Sequence, residues 1–170
     1  MGLRITILSE NTATAKRSLI AEWGLSFLLE MDDFRILLDT GQSVSIVHNA
    51  ASLGINLSQI DKIVLSHGHY DHTGGLWEVL NRTRKGIEVI AHPEVWGSKY
   101  RYNANEGSYS YIGIPFQRED LEPLLAPLTG EWLEHRHGAV PGRLTAVLVL
   151  IGGFALRWIV VQAGQYTEIA

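Results

Sequence analysis

Polar and apolar positions alternate over Leu3–Ser9, with Leu3, Ile5 and Ile7 interleaved by Arg4 and Thr6. A period of two predicts an opening β-strand with one apolar face. Two further apolar runs, residues 24–30 (GLSFLLE) and 34–38 (FRILL), flank Met31, Asp32 and Asp33, a pattern expected of a hairpin. The period then changes. After Asp39-Thr40-Gly41, residues 43–53 place Val44, Val47 and Leu53 at helical spacing and end at Gly54, which predicts an amphipathic helix. Residues 62–66 (KIVLS) form a short β-branched run, and residues 75–84 set Leu76, Val79 and Leu80 on one helical face. Residues 87–91 (IEVIA) read as another strand, closed by His92-Pro93. Strand, loop, helix and strand in this order are expected to form a crossover with parallel strands.

The second half is less periodic. Residues 100–115, rich in Tyr, Asn, Gly and Ser, are expected to be a long loop, a lid or substrate surface. Residues 118–126 predict a short helix, and residues 127–142 are irregular. The longest apolar stretch, residues 144–161, contains Arg157 and the pair Gly152-Gly153. A charge inside a membrane span costs roughly 2.5–3.5 kcal/mol, whereas Gly-Gly between β-rich runs is a turn signal, so the stretch reads as a closing hairpin. The opening residues MGLRITILSENT hold too short an apolar run for a signal peptide. The expectation is one domain over residues 1–170, cytoplasmic, with no membrane span.

Composition narrows the chemistry. Hydrophobic residues make up 46% of the chain, enough for a sizeable core. Fourteen Lys and Arg against 18 Asp and Glu give a net charge of -4, which offers no field for a polyanion, so nucleic acid is not an expected partner. There is no cysteine. Any metal site must therefore be built from imidazole and carboxylate.

Residues 66–75 read SHGHYDHTGG, placing His67, His69, Asp71 and His72 within six positions directly after a predicted strand. In extended backbone, His67 and His69 project to one side, and a following turn brings Asp71 and His72 to a neighbouring point. One loop could thus serve two adjacent divalent ions. Gly68 leaves the backbone free to bend, and Thr73-Gly74-Gly75 permits close approach of the next helix. The competing reading makes Asp71 a helix cap and the histidines solvated loop residues. Asp39, ending a strand, either accepts the distal N–H of a ligand imidazole or serves as a turn residue. His48 belongs on a helix surface. His92 stands between a pocket role and a structural one, and His135 and His137, in EHRHG, sit in a segment expected to be exposed and polar.

The strings GLSFLLEMDDFRILLDTGQ and HNAASLGINLSQIDKIVLSHGHYDHTGGL, within residues 24–76, resemble the N-terminal half of a metallo-β-lactamase-fold metallohydrolase. The likeness continues more weakly through VIAHPEVW at residues 89–96. LLDTGQ, HNA and HGHYDHTGGL are most similar to the branch named dihydropterin-ribofuranosyl-aminobenzene phosphate synthase, and Glu10-Asn11 fits that branch. The resemblance implies an α+β fold, the metallo-β-lactamase-like αββα sandwich, with residues 1–99 well matched and 100–170 divergent. It also implies a dinuclear site in which His67 and His69 serve one metal and Asp71 and His72 the other. The implied cofactor is Zn2+, two per complete site, with iron or manganese able to use the same ligands. The implied chemistry is hydrolysis of a small, phosphorylated or pterin-like metabolite by activated water, with Asp71 also relaying a proton.

The second half departs from the family pattern. Relatives of this type supply a further His from a later loop and end in a Gly-Gly-Phe-His segment, whereas residues 150–156 read LIGGFAL, with Ala155 in the histidine position. Two ligands are thus unaccounted for. Three expectations follow: an active metallohydrolase; a truncated, catalytically inactive remnant that at most binds metal or a partner; and a site completed across a homodimer, with His135 or His137 as donor. With only the N-terminal half of the sandwich intact, the sheet would also expose its apolar inner face, which points to a dimer or a poorly soluble monomer.

Overall fold

The computed structural model describes residues 2–13, 18–83, 86–121 and 123–124. The chain divides into two units, residues 1–129 and 130–170; every described residue lies in the first. The expectations for residues 127–142, the hairpin at 144–161, His135, His137 and Ala155 fall outside the described residues.

Strands β1 (Leu3–Ser9), β2 (Ser26–Met31), β3 (Phe34–Leu38), β4 (Lys62–Val64) and β5 (Glu88–Ile90) form one sheet in the order β1-β2-β3-β4-β5. The first three pair antiparallel, β2 and β3 being joined by the tight turn at Asp32-Asp33, and β3, β4 and β5 run parallel. Helix α1 (Ser45–Ser52) links β3 to β4, and α2 (Tyr70–Thr73) and α3 (Leu76–Leu80) link β4 to β5. The crossovers follow from the sequence periods: short β-branched strands alternate with segments whose apolar residues recur at helical spacing.

One sheet face carries the core. Leu8, Leu28, Leu37 and Ile63 meet Ile46 and Ala50 of α1 and Leu76, Val79 and Leu80 of α3, all buried. On the other face, registers Ile5–Leu29–Ile36 and Ile7–Phe27–Leu38 line up. Leu29 and Ile36 are buried there, while Leu3, Ile5 and Ile7 are each about half exposed. No helix among the described residues is long and apolar enough to cross a membrane.

The Tyr-rich region corrects an expectation. Instead of a structureless loop, β6 (Tyr100–Asn103) and β7 (Ser108–Tyr111) form an antiparallel hairpin, pairing Tyr100 with Tyr111 and Tyr102 with Tyr109. The tyrosines alternate with Arg101, Asn103, Ser108 and Ser110, and the tyrosine pairs stack with ring centroids 5.5 and 5.1 Å apart. Cross-strand aromatic pairs of this kind stabilise a hairpin even without β-branched residues.

The segment leading into β2 is tied down by polar groups. Asn49, buried in α1, donates to the carbonyls of Leu8 and Ile20 and accepts from the Ile20 N–H. Glu22 accepts from the backbone N–H groups of Gln42 and Ser43 and from the hydroxyls of Ser43 and Ser45. Burial opposes its charge, yet these donors hold its carboxyl below the usual glutamate range. Asn49→Ala removes three hydrogen bonds at once and leaves the Leu8 carbonyl without that donor. We expect a loss of about 2 kcal/mol in chemical denaturation at neutral pH, with an unchanged m-value.

Candidate metal centre

The site forms where β3 and β4 end, at the C-terminal edge of the parallel part of the sheet, where binding residues collect in such folds. Asp39 follows β3 in a left-handed conformation, φ 55°, a geometry that Asp tolerates better than most residues. Its side chain is buried and accepts from the Ser66 N–H at 2.8 Å, the Ser66 hydroxyl at 2.6 Å and His72 Nδ1 at 2.8 Å. The loop after β4 bends at Ser66 and is extended at His69 (φ -84°, ψ 150°), and α2 begins at Tyr70. The rings of His67, His69 and His72 gather there, with the His67 centroid 4.6 Å from that of His69 and 4.2 Å from that of His72. Asp71 Oδ2 lies 3.7 Å from His72 Nε2. All four side chains are half-buried, open to solvent on one side.

Hydrogen bonding fixes the ring tautomers. The Ser66 hydroxyl donates to Asp39, so toward His67 Nδ1, 2.8 Å away, it acts as acceptor. His67 in its neutral form therefore carries its proton on Nδ1 and presents the Nε2 lone pair. His72, donating from Nδ1 to Asp39, likewise presents Nε2. Burial lowers the pKa of His67, the neighbouring His72 lowers it further, and Asp39, opposing, does not restore it. For His72, burial is outweighed by the hydrogen bond and charge of Asp39, with Asp71 adding to them, so its pKa is raised.

His67 Nε2 and His69 Nδ1 stand 3.0 Å apart. Two nitrogens bound to one tetrahedral ion at about 2.0–2.1 Å are separated by about 3.3–3.4 Å, so this pair fits two corners of such a site after a small adjustment. Among the described residues, no three His, Asp or Glu side chains are disposed as a preformed cage around one ion. The donor set is thus chemically suited to a divalent metal and short of ligands.

The supporting backbone is close-packed. The Thr40 N–H and hydroxyl both donate to the His72 carbonyl, at 2.8 and 3.1 Å, and the Gly75 N–H donates to the Gly41 carbonyl. A Cβ on Gly74 would overlap the Gln42 carbonyl, and one on Gly68 would overlap that of Val95, so at both positions close backbone approach requires glycine. Lys99 Nζ caps the carbonyls of Glu94, Val95 and Gly97 beside that contact.

The residues singled out from the sequence separate clearly. His67, His69, Asp71 and His72 come together with Asp39, which accepts the distal N–H of His72. The N-cap position of α2 is occupied by His69, and Asp71 lies in its first turn. His48 sits exposed on α1 with Nε2 against the Ser18 carbonyl, and His92 caps a 3-10 turn at Pro93–Trp96 by accepting from the Glu94 N–H. Ser66 was missed. Its position between a strand end and the first histidine was the available signal. A cavity of about 430 Å3, lined by Gln42, Ser43, Tyr70 and Tyr111 among others, lies beside α2.

A mixed sheet flanked by helices, with a histidine-rich loop at the strand ends, defines a metallohydrolase-like α+β fold. Residues 24–153 match the family described as the metallo-beta-lactamase superfamily, and the chain belongs to it. A 7,8-dihydropterin-6-methyl-4-(beta-D-ribofuranosyl)-aminobenzene-5'-phosphate synthase of Methanocaldococcus jannaschii is 34% identical over 142 residues, covering 79% of this chain and 46% of that protein. An uncharacterized protein of the same organism is 40% identical over 130 residues, covering 72% of this chain and 48% of its own length. The crystal structure of Tm1679, described as a metal-dependent hydrolase of the beta-lactamase superfamily, superposes with a TM-score of 0.54 at 30% identity, over 72% of this chain and 40% of that one. The chain thus spans about half the length of the curated relatives it matches.

Asp39→Asn tests the hydrogen-bond network. Asn is tolerated at positive φ, but its amide N–H2 faces His72 Nδ1 and favours a proton on Nε2 instead. We expect long-range 15N NMR of metal-free protein to show that tautomer exchange and a fall in the His72 pKa. Because that pKa is raised in the fold, the pairing contributes stability below about pH 6.5 that fades as the pH rises through the folded value, and the variant should flatten this dependence.

Proposed function

We propose that this chain carries the first half of a metallohydrolase site, in which His67 and His69 hold one divalent cation and Asp71 and His72 hold or share a second. The observation that carries this reading is the convergence of three imidazoles and a carboxylate on one loop, with His67 and His72 already turned to offer Nε2. Zinc is the first choice, with iron or manganese using the same donors. Divalent cations held there would supply Lewis acidity, making water acidic enough to attack at neutral pH and withdrawing charge from the scissile group. In this reading Asp71, half-buried beside His72, would accept a proton from the attacking water or pass one to the leaving group. Asp39 keeps the imidazoles oriented, as partners behind metal ligands do. The name of the synthase relative supports a small phosphorylated or pterin-like metabolite as substrate, and the net charge of -4 gives no support to nucleic acid.

Ala155 in LIGGFAL and the absence of a three-ligand cage among the described residues favour a second reading, a chain that retains the loop and fold but not turnover. The half-exposed Leu3, Ile5 and Ile7 support a homodimer as one way to complete the ligand set. Elemental analysis of protein purified without chelator separates the readings. We expect about one to two first-row divalent ions per chain, lost from a His67→Ala/His69→Ala double variant, and metal affinity about 10–100-fold weaker in Asp39→Asn. Wild-type protein free of metal, and unable to take up Zn2+ at micromolar concentration, would leave the silent reading standing.

A further inference from the structure

The cavity of about 430 Å3 beside α2 lies where the exit of the β6–β7 hairpin meets the histidine loop, and Gln42, Ser43, Tyr70, Tyr111, Gly113 and Pro115 line it. Its size suits one ring with its substituents. The walls are held in place. The Tyr70 N–H donates to the Ile112 carbonyl at 3.1 Å, binding the hairpin exit to the first residue of α2. The Tyr111 ring lies so close to Gly113 that a Cβ there would overlap its hydroxyl end, and its Oη donates to the Ile114 carbonyl at 3.0 Å. The Gln42 N–H donates to Glu22, and the Gln42 carbonyl sits where a Cβ on Gly74 would overlap it, so the Gln42 side chain leaves from a fixed backbone.

Two polar groups of this lining are uncommitted. Among the described residues, neither the Tyr70 hydroxyl nor the Gln42 carboxamide has a hydrogen-bond partner. Tyr70 is half-buried with its hydroxyl still open to solvent, and Gln42 is exposed. Each group can both donate and accept. No lining residue is charged. Behind Gln42 and Ser43 stands the Glu22 carboxylate, which accepts from both backbone N–H groups and is kept ionised by its donors, so an anion would meet repulsion here and no countercharge. We propose that this cavity binds a neutral planar ring with an amide-like edge, its face packed against Tyr111 and Pro115 and its edge hydrogen-bonded to the Tyr70 hydroxyl and the Gln42 carboxamide. An aromatic wall favours a flat ring over a saturated one of the same size. Tyr70 stands between His69 and Asp71, so the bound ring lies next to the histidine loop. That the ring belongs to the substrate rests on the metallohydrolase reading; the binding itself does not.

Titration of the metal-free full chain with benzamide, followed by 1H–15N NMR, tests the site, with cyclohexanecarboxamide as the saturated control and benzoate as the anionic one. We expect benzamide to shift the amides of Tyr70 and Gly113 with a Kd of about 1 mM, and both controls to bind at least about 5-fold more weakly. Tyr111→Leu should weaken benzamide at least about 5-fold, and Tyr70→Phe and Gln42→Ala about 3–5-fold each. Tyr109→Thr, a change at an exposed tyrosine of the same hairpin outside the cavity lining, should leave binding as it is. Should Tyr111→Leu fail to fold by circular dichroism, Tyr70→Phe, which removes one oxygen, decides the matter. The His67→Ala/His69→Ala variant should bind benzamide unchanged, so loss of metal leaves this result standing. Equal binding of cyclohexanecarboxamide, tighter binding of benzoate, unchanged binding by Tyr70→Phe, an equal loss in Tyr109→Thr, or no benzamide binding at about 10 mM would overturn the proposal.

Discussion

A single buried carboxylate holds the site together. Asp39 brings a negative charge to a position only 2% exposed, which is tolerable because three donors converge on it: the Ser66 N–H, the Ser66 hydroxyl and His72 Nδ1. These donors come from the end of β4 and from α2, while Asp39 itself closes β3. The carboxylate therefore joins three elements at the sheet edge. Through the Ser66 hydroxyl it also reaches His67, so two imidazoles that share no direct hydrogen bond are oriented by one charge.

The left-handed turn at Asp39 makes this geometry possible, and its cost is offset by neighbours that leave no alternative. The Asp39 N–H remains in the ladder, donating to Val64, and its carbonyl receives the Ser26 hydroxyl. The next residue, Thr40, donates to the His72 carbonyl through both backbone and side chain. Glycines at 68 and 74 let neighbouring carbonyls approach closer than any side chain would permit. Packing and chemistry meet in the same residues, because backbone placed to bury Leu37, Ile63 and Leu76 also delivers the carboxylate and the rings.

Much of this was legible in the sequence. The strands and crossovers of residues 3–91 follow periods of two and 3.6, and the histidine spacing declares itself because so compact a cluster has few structural uses. Other features were hidden for identifiable reasons. Ser66 looks like any loop serine, since its role depends on a carboxylate 27 positions earlier that only the fold brings near. The β6–β7 hairpin lacks the aliphatic residues that mark strands, and its tyrosine alternation was masked by the Asn, Gly and Ser content around it. The anchor made by Glu22 and Asn49 gathers donors and acceptors from segments far apart in sequence, and no local pattern announces it.

Orientation and completeness of the site are separable properties. The tautomers of His67 and His72 are set by Asp39 and Ser66, all within the described first unit, so the offered Nε2 atoms do not depend on residues further along the chain. What the described residues lack is a group of three His, Asp or Glu donors gathered around one point. Preorganisation of the donors present lowers the reorganisation needed on binding, but it cannot replace a missing bond to the metal. The affinity of this loop is therefore bounded by ligand count rather than by misplacement. In the proposed metal reading, a single further histidine or carboxylate would complete a three-ligand set without any change in the first half of the fold.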